Sequence, residues 1–121
     1  MPMAAGSFDT IFKAAVTTAV QVSAVPVDIG AYQILNTTAA IAYIQVFYKL
    51  AADVTLGTTA PDFVIPLPAS GGATLNFSGS GWRTRAGSVA GVASPGLTIA
   101  ATTSPSNSTT ASCYVSLWKC R

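Results

Sequence analysis

Six basic and four acidic side chains carry the formal charge of this 121-residue sequence, and acid–base or metal chemistry would have to start from them. The acids are Asp9, Asp28, Asp53 and Asp62. The bases are Lys13, Lys49, Arg83, Arg85, Lys119 and Arg121. Histidine and glutamate are absent. General acid–base catalysis needs positioned titratable groups near neutrality, and histidine is the usual one. Only Asp53 and Asp62 flank a common loop, where aspartate more commonly caps turns. A serine or cysteine nucleophile has no base to activate it. Two thiols without histidine fall short of a zinc ligand set. The four aspartates form no oxygen cluster for calcium or magnesium. The glycine-rich run Ser78-Gly79-Ser80-Gly81 lacks the lysine and the helix of a phosphate loop. The residues therefore predict a protein that is not an enzyme, with no cofactor, no metal and no small-molecule substrate.

What remains is binding chemistry. Trp82, Arg83 and Arg85 lie together, and tryptophan and arginine are enriched at protein interfaces. An aromatic ring beside polar loops also stacks on sugars, so the Trp82 segment is a candidate for both. Trp118 is a second interface candidate, near the C-terminus. Phe8, Ile11 and Phe12 are a third group, on a leader that suits an arm lying on a neighbouring subunit. Six scattered bases make no phosphate-binding face, so no nucleic-acid partner is expected. No apolar run reaches the roughly 18 residues of a membrane-spanning helix. The N-terminus lacks the pattern of a secretory signal. Three Asn-X-Ser/Thr triplets, at Asn36, Asn76 and Asn107, read as chance matches in a chain rich in serine and threonine. Cys113 and Cys120 are seven residues apart. On one extended strand they would be separated by about 23 Å, and a disulfide needs Cα atoms within about 7 Å. Two free thiols are expected.

The elements that must position these residues are strands. Valine, isoleucine, threonine, tyrosine and phenylalanine dominate the apolar runs, and Gly, Pro, Asn and Ser clusters punctuate them at short intervals. The reading is a leader over residues 1–14 and a single domain over 15–121. The first strand is expected over Ala15–Ala24 and the second over Tyr32–Asn36. Ala40–Ala51 is apolar on both faces. It is either central and covered twice or pressed against a partner. Phe63–Leu67, bracketed by prolines, belongs at a sheet edge. Ala73–Phe77, a mixed stretch from Trp82 to Val89, Leu97–Thr102 and Ala111–Lys119 follow, with a polar turn over Ser104–Thr110. On the last strand Cys113, Val115 and Leu117 share one side, and Tyr114, Ser116 and Trp118 the other. The fold class is all-β: a single-domain antiparallel β-sandwich or jelly-roll-like barrel of about eight strands, with an extended N-terminal arm.

Charged residues make up 8% of the chain, against about 25% in a typical soluble domain. Such a surface is built from small polar residues or is covered by partners. The run from Tyr32 through Asn36-Thr37-Thr38 to Tyr43-Ile44-Gln45-Val46-Phe47 leads into Leu56-Gly57-Thr58-Thr59-Ala60-Pro61. Then come Phe63-Val64-Ile65-Pro66-Leu67-Pro68 and Gly71-Gly72, and later Leu97-Thr98-Ile99-Ala100-Ala101-Thr102-Thr103. This succession, over roughly Tyr32 to Thr103, resembles small β-rich structural proteins of tailed bacteriophage virions, among them capsid decoration (cement) proteins. The resemblance implies a virion location and a stabilising role on the capsid shell. It also implies the major capsid protein and copies of the chain itself, as a homo-trimer, for partners. Cys113 and Cys120 depart from that pattern. The alternative expectation is a tail- or fibre-associated structural protein with a carbohydrate-binding surface.

Overall fold

The computed structural model describes residues 8–16, 18–25, 28–76, 82–83 and 96–120, with side chains described over 14–16, 18–25, 31–72 and 96–118. Nine strands are found among them: β1 (Phe8–Val16), β2 (Val20–Ser23), β3 (Asp28–Asn36), β4 (Ala42–Phe47), β5 (Phe63–Leu67), β6 (Gly72–Asn76), β7 (Trp82–Arg83), β8 (Leu97–Thr102) and β9 (Cys113–Cys120). The only helical element described is a single 3₁₀ turn, Ala51–Asp53.

The strands form two antiparallel sheets. The first runs β1-β9-β3-β6, with the short β7 pairing the start of β3; the second runs β2-β8-β4-β5. The pairings are nested. The β4–β5 pair lies inside β3–β6, which lies inside β2–β8 and then β1–β9. A long antiparallel hairpin rolled so that successive strand pairs fall alternately in two sheets gives this order, which is the wiring of a jelly roll. The sheets face each other as a sandwich and do not close into a barrel.

The core is the space between the sheets. Ile34, Val115, Leu117, Cys113 and Val16 meet Ala42, Ile44, Val46, Ile65, Leu67, Leu97, Ile99 and Ala101. Fully burying each of the larger aliphatic side chains contributes about 1.5–3 kcal/mol. The predicted alternation along β9 holds, since Cys113, Val115 and Leu117 point into this core.

Several boundaries differ from the sequence reading. The first strand begins at Phe8 and ends at Val16, and Val20–Ser23 is a separate strand in the other sheet. Alternating apolar residues continue through both, so periodicity carries no mark of the point where the chain changes sheets. The expected second strand, Tyr32–Asn36, starts earlier, at Asp28, as β3. Its register against β9 slips between Ile29 and Ala31, and a glycine at such a slip marks a bulge rather than a turn. Leu97–Thr102 appears as expected, and Phe63–Leu67 is an edge strand. Pro66 pairs with Tyr43 there, and the missing N–H costs no ladder bond on the open side.

The strand that is apolar on both faces is covered twice within the chain itself. Ala42, Ile44 and Val46 face the core, while Gln45 and Phe47, on the reverse face, are fully buried as well. The loop after β8 folds down over this reverse face. Gln45 Nε2 donates to Thr102 Oγ1 (2.8 Å) and to the carbonyls of Asn107 (3.1 Å) and Ser104 (3.4 Å). Thr98 Oγ1 donates to the Lys49 carbonyl at 2.9 Å. The turn at Gly57, with φ of 85°, lies against Ser108, so the loops after β4 and β8 meet. All six residues of β8 are buried in consequence.

Asn36, 1% exposed, ties the corner where three turns converge. Its Nδ2 donates to the carbonyls of Ala40 (2.8 Å) and Pro68 (3.0 Å). Its Oδ1 accepts from the Thr38 N–H (2.9 Å) and the Thr38 hydroxyl (2.6 Å). Its own N–H donates to the Gly71 carbonyl at 2.7 Å. Next to it, Gly72 pairs with Leu35 so closely that a Cβ would sit 2.5 Å from the Ile34 carbonyl oxygen, and only glycine fits.

Candidate interaction surface

The two sheets differ on their outer faces. The outer face of the β2-β8-β4-β5 sheet is sealed by the chain's own loops at β4 and β8. On the β1-β9-β3-β6 sheet, several residues point away from the core, and Gln33, Leu35 and Tyr114 among them stay exposed. On β9 these are Tyr114, Ser116 and Trp118; on β3 they are Gln33 and Leu35. Leu35 lies opposite Tyr114 and Gln33 opposite Ser116. Leu35 is 48% exposed and Tyr114 39%; Trp118 is half-buried and Ser116 almost covered. On the far side of β9, the exposed Ala15 pairs with Tyr114.

These residues enclose an open groove of about 380 Å³, lined by Gln33, Ile34, Leu35, Gly72, Tyr114, Ser116 and Trp118. The groove follows from side-chain size. Ser116 is small between two rings on the same strand face, and Gly72 has no side chain where β6 meets Leu35. No lining residue is charged at neutral pH. The side-chain donors and acceptors are the Gln33 amide, the hydroxyls of Ser116 and Tyr114, and the indole N–H of Trp118, a donor only.

Of the residues singled out from the sequence, Trp118 lines this groove. Phe8 and Phe12 lie on β1 opposite Cys120 and Leu117, and Ile11 falls at the register slip between Thr10 and Phe12. Trp82 and Arg83 form β7, opposite Ile29 and Asp28. The side chains of these five, and Arg85 altogether, lie outside the described residues. Tyr114, Gln33, Leu35 and Gly72 were not singled out. The signal for Tyr114 was its place two residues from Ser116 and four from Trp118 on one strand face. Gln33 and Leu35 carry no such signal, because only the β3–β9 register brings them there.

The acidic pair resolves into separate roles. Asp62 Oδ2 accepts the Tyr48 N–H at 2.6 Å, and its own N–H donates to the Val46 carbonyl. It caps the end of β4 and the start of β5. Asp53 lies in the 3₁₀ turn. Both are exposed. Among the described residues, no three His, Cys, Asp or Glu side chains gather where a metal ion could sit, and no helix is long and apolar enough to cross a membrane.

Cys113 is a buried free thiol, and desolvation pushes its pKa up to about 11. β9 runs unbroken from Cys113 to Cys120, so the two cysteines stand at opposite ends of one extended strand, too far apart to bridge. The side chain of Asn36 is spent on four hydrogen bonds inside the fold, so its glycosylation triplet is inaccessible. Phe47 is fully buried on the reverse face of β4, and Tyr48 packs edge-to-face on Phe63 with ring centroids 6.0 Å apart.

No protein family, curated protein or solved structure matches this chain.

Proposed function

We propose that this chain is a non-enzymatic structural protein of a tailed-phage virion, a capsid decoration protein that binds and stiffens the shell. The observation that carries the reading is the scaffold itself: a jelly roll in which the two inner strands of one sheet, β4 and β8, are covered on both faces within the chain itself. Such a module has few soft places. Local opening starts where backbone bonds are exposed and apolar contacts are few, and β4 and β8 offer neither. Jelly rolls recur in viral capsid and lectin domains. A fold alone does not give a function, so the sequence succession from Tyr32 to Thr103 supplies the second support. The partners in this reading are the major capsid protein and further copies of the chain, as a homo-trimer, on the assembled particle.

The test is co-sedimentation of the purified chain with capsid shells assembled without it, followed by cryo-electron microscopy of the decorated particle. The full chain is expected to bind saturably and to raise the temperature at which shells rupture. Removing only residues 1–7, which precede β1, should weaken binding while leaving the sheet paired. Density confined to the tail, or no binding to shells, would overturn the capsid reading.

A second reading, a tail- or fibre-associated protein with a sugar-binding surface, is favoured by one observation, the aromatic groove on the open sheet.

A further inference from the structure

We propose that the groove over β3 and β9 is a saccharide-binding site that takes a short run of neutral pyranose rings. The inference holds whether the chain sits on a head or a tail, because it rests on the groove alone.

A volume of about 380 Å³ falls within the range of small-ligand sites, roughly 300–1,000 Å³. The lining has the composition of such sites, apolar and aromatic with a few placed polar groups. Tyr114 and Trp118 point to the same side of one strand, four residues apart. At about 3.3 Å per residue their Cα atoms are about 13 Å apart. Two rings at that spacing, with Ser116 low between them, make two stacking positions along a trough. Flat partners with a C–H or π face stack on such rings. The Gln33 amide, which donates and accepts, stands opposite Ser116 in the register, between the two stacking positions. A pyranose presents an apolar ring face and equatorial hydroxyls together, and this lining matches both.

The lining also argues against other occupants. An acyl chain would bury the exposed Gln33 amide with nothing to pair it, which is costly. A phosphate backbone or sulfated glycan needs cations, and none lines the groove. The site is built on strands in the interior of the sheet, so little ordering is needed on binding.

The experiment is an NMR titration of the full chain with chitotetraose, cellotetraose, maltotetraose and mannotetraose at millimolar concentration, following backbone amides. At least one of these is expected to shift Gln33, Leu35, Tyr114, Ser116 and Trp118. Tyr114→Ala and Trp118→Ala should each weaken that binding about tenfold, as loss of one stacking ring does. Gln33→Ala, at an exposed position that leaves the core intact, should weaken it by a smaller factor, and it keeps the test valid if Trp118→Ala fails to fold. No shift with any of the four overturns the proposal, as does binding unchanged in all three variants. Shifts that map to Trp82 and vanish in Trp82→Ala also overturn it. The same variants are taken through shell co-sedimentation. Loss of shell binding in Tyr114→Ala without any saccharide shift would make the groove a protein contact and overturn this proposal. The virion reading fails separately, if the unaltered chain does not bind shells.

Discussion

Replacing Asn36 tests the corner on which the two sheets turn. Asn36→Ala deletes four side-chain hydrogen bonds, two donated to the carbonyls of Ala40 and Pro68 and two accepted from Thr38. A net hydrogen bond contributes about 1 kcal/mol, and a buried partner left unpaired costs about 1–3 kcal/mol. Thr38 is half-buried and Ala40 exposed, so water recovers part of the loss. The expected destabilisation is therefore about 3 kcal/mol. Asn36→Asp keeps both acceptor bonds but sets a carboxylate oxygen against the two carbonyls that had faced an amide. A carboxylate in that position repels both, and its protonated form donates to one. The folded-state pKa of the introduced carboxyl group is therefore raised above its unfolded value. Sites that hold a proton more tightly when folded lose stability as pH rises. Asn36→Asp should thus lie nearer the wild type below about pH 4 than at about pH 7. Urea unfolding followed by circular dichroism, with unchanged m-values, measures both effects. An Asn36→Ala variant within about 0.5 kcal/mol of the wild type, the range of an ordinary surface change, would refute the reasoning. So would an Asn36→Asp variant whose deficit is the same at both pH values.

Two further expectations concern the interior. With its pKa pushed up to about 11 by burial, Cys113 stays protonated in the folded chain at pH values where an unfolded thiol ionises. Its contribution to stability should therefore hold below about pH 9 and fall between about pH 9 and 11, and Tyr32, also raised by burial, extends the fall. A Cys113→Ala variant should flatten the Cys113 part of this slope in alkaline urea titrations. At the centre of β4, Gln45→Leu loses the bonds to Thr102, Asn107 and Ser104 but removes a buried Oε1 that has no partner. It should cost only about 1 kcal/mol, while Gln45→Glu, a buried carboxylate facing carbonyls, should cost more than about 3 kcal/mol at neutral pH. Hydrogen exchange over residues 103–110 should quicken in both variants.

Much of the architecture was legible from pattern. β8 follows from a short strand-forming run between turn residues, the inward side of β9 from apolar residues at period two, and the edge position of β5 from Pro66. The doubly apolar β4 announced that both faces are covered, by the chain itself or by a partner. It did not show by what, because loops rich in Ser, Thr and Asn have no apolar signature even when they seal a sheet face through hydrogen bonds. The groove was legible only in half. Trp118 stood out as a scarce aromatic, and Tyr114 shared its face. Gln33, Leu35 and Gly72 come from strands far from β9 in sequence, and no local pattern ties them to it.

The sequence by itself determined the class of structure and the inventory of its ionisable groups. Side-chain direction in a strand follows local alternation, and the absence of histidine and glutamate holds whatever the fold. Only the tertiary structure decided which strands are neighbours, where the chain changes sheets and which face stays open. Those depend on register and on loops closing over distant strands. Both are set by the summed packing of the whole chain rather than by any local preference.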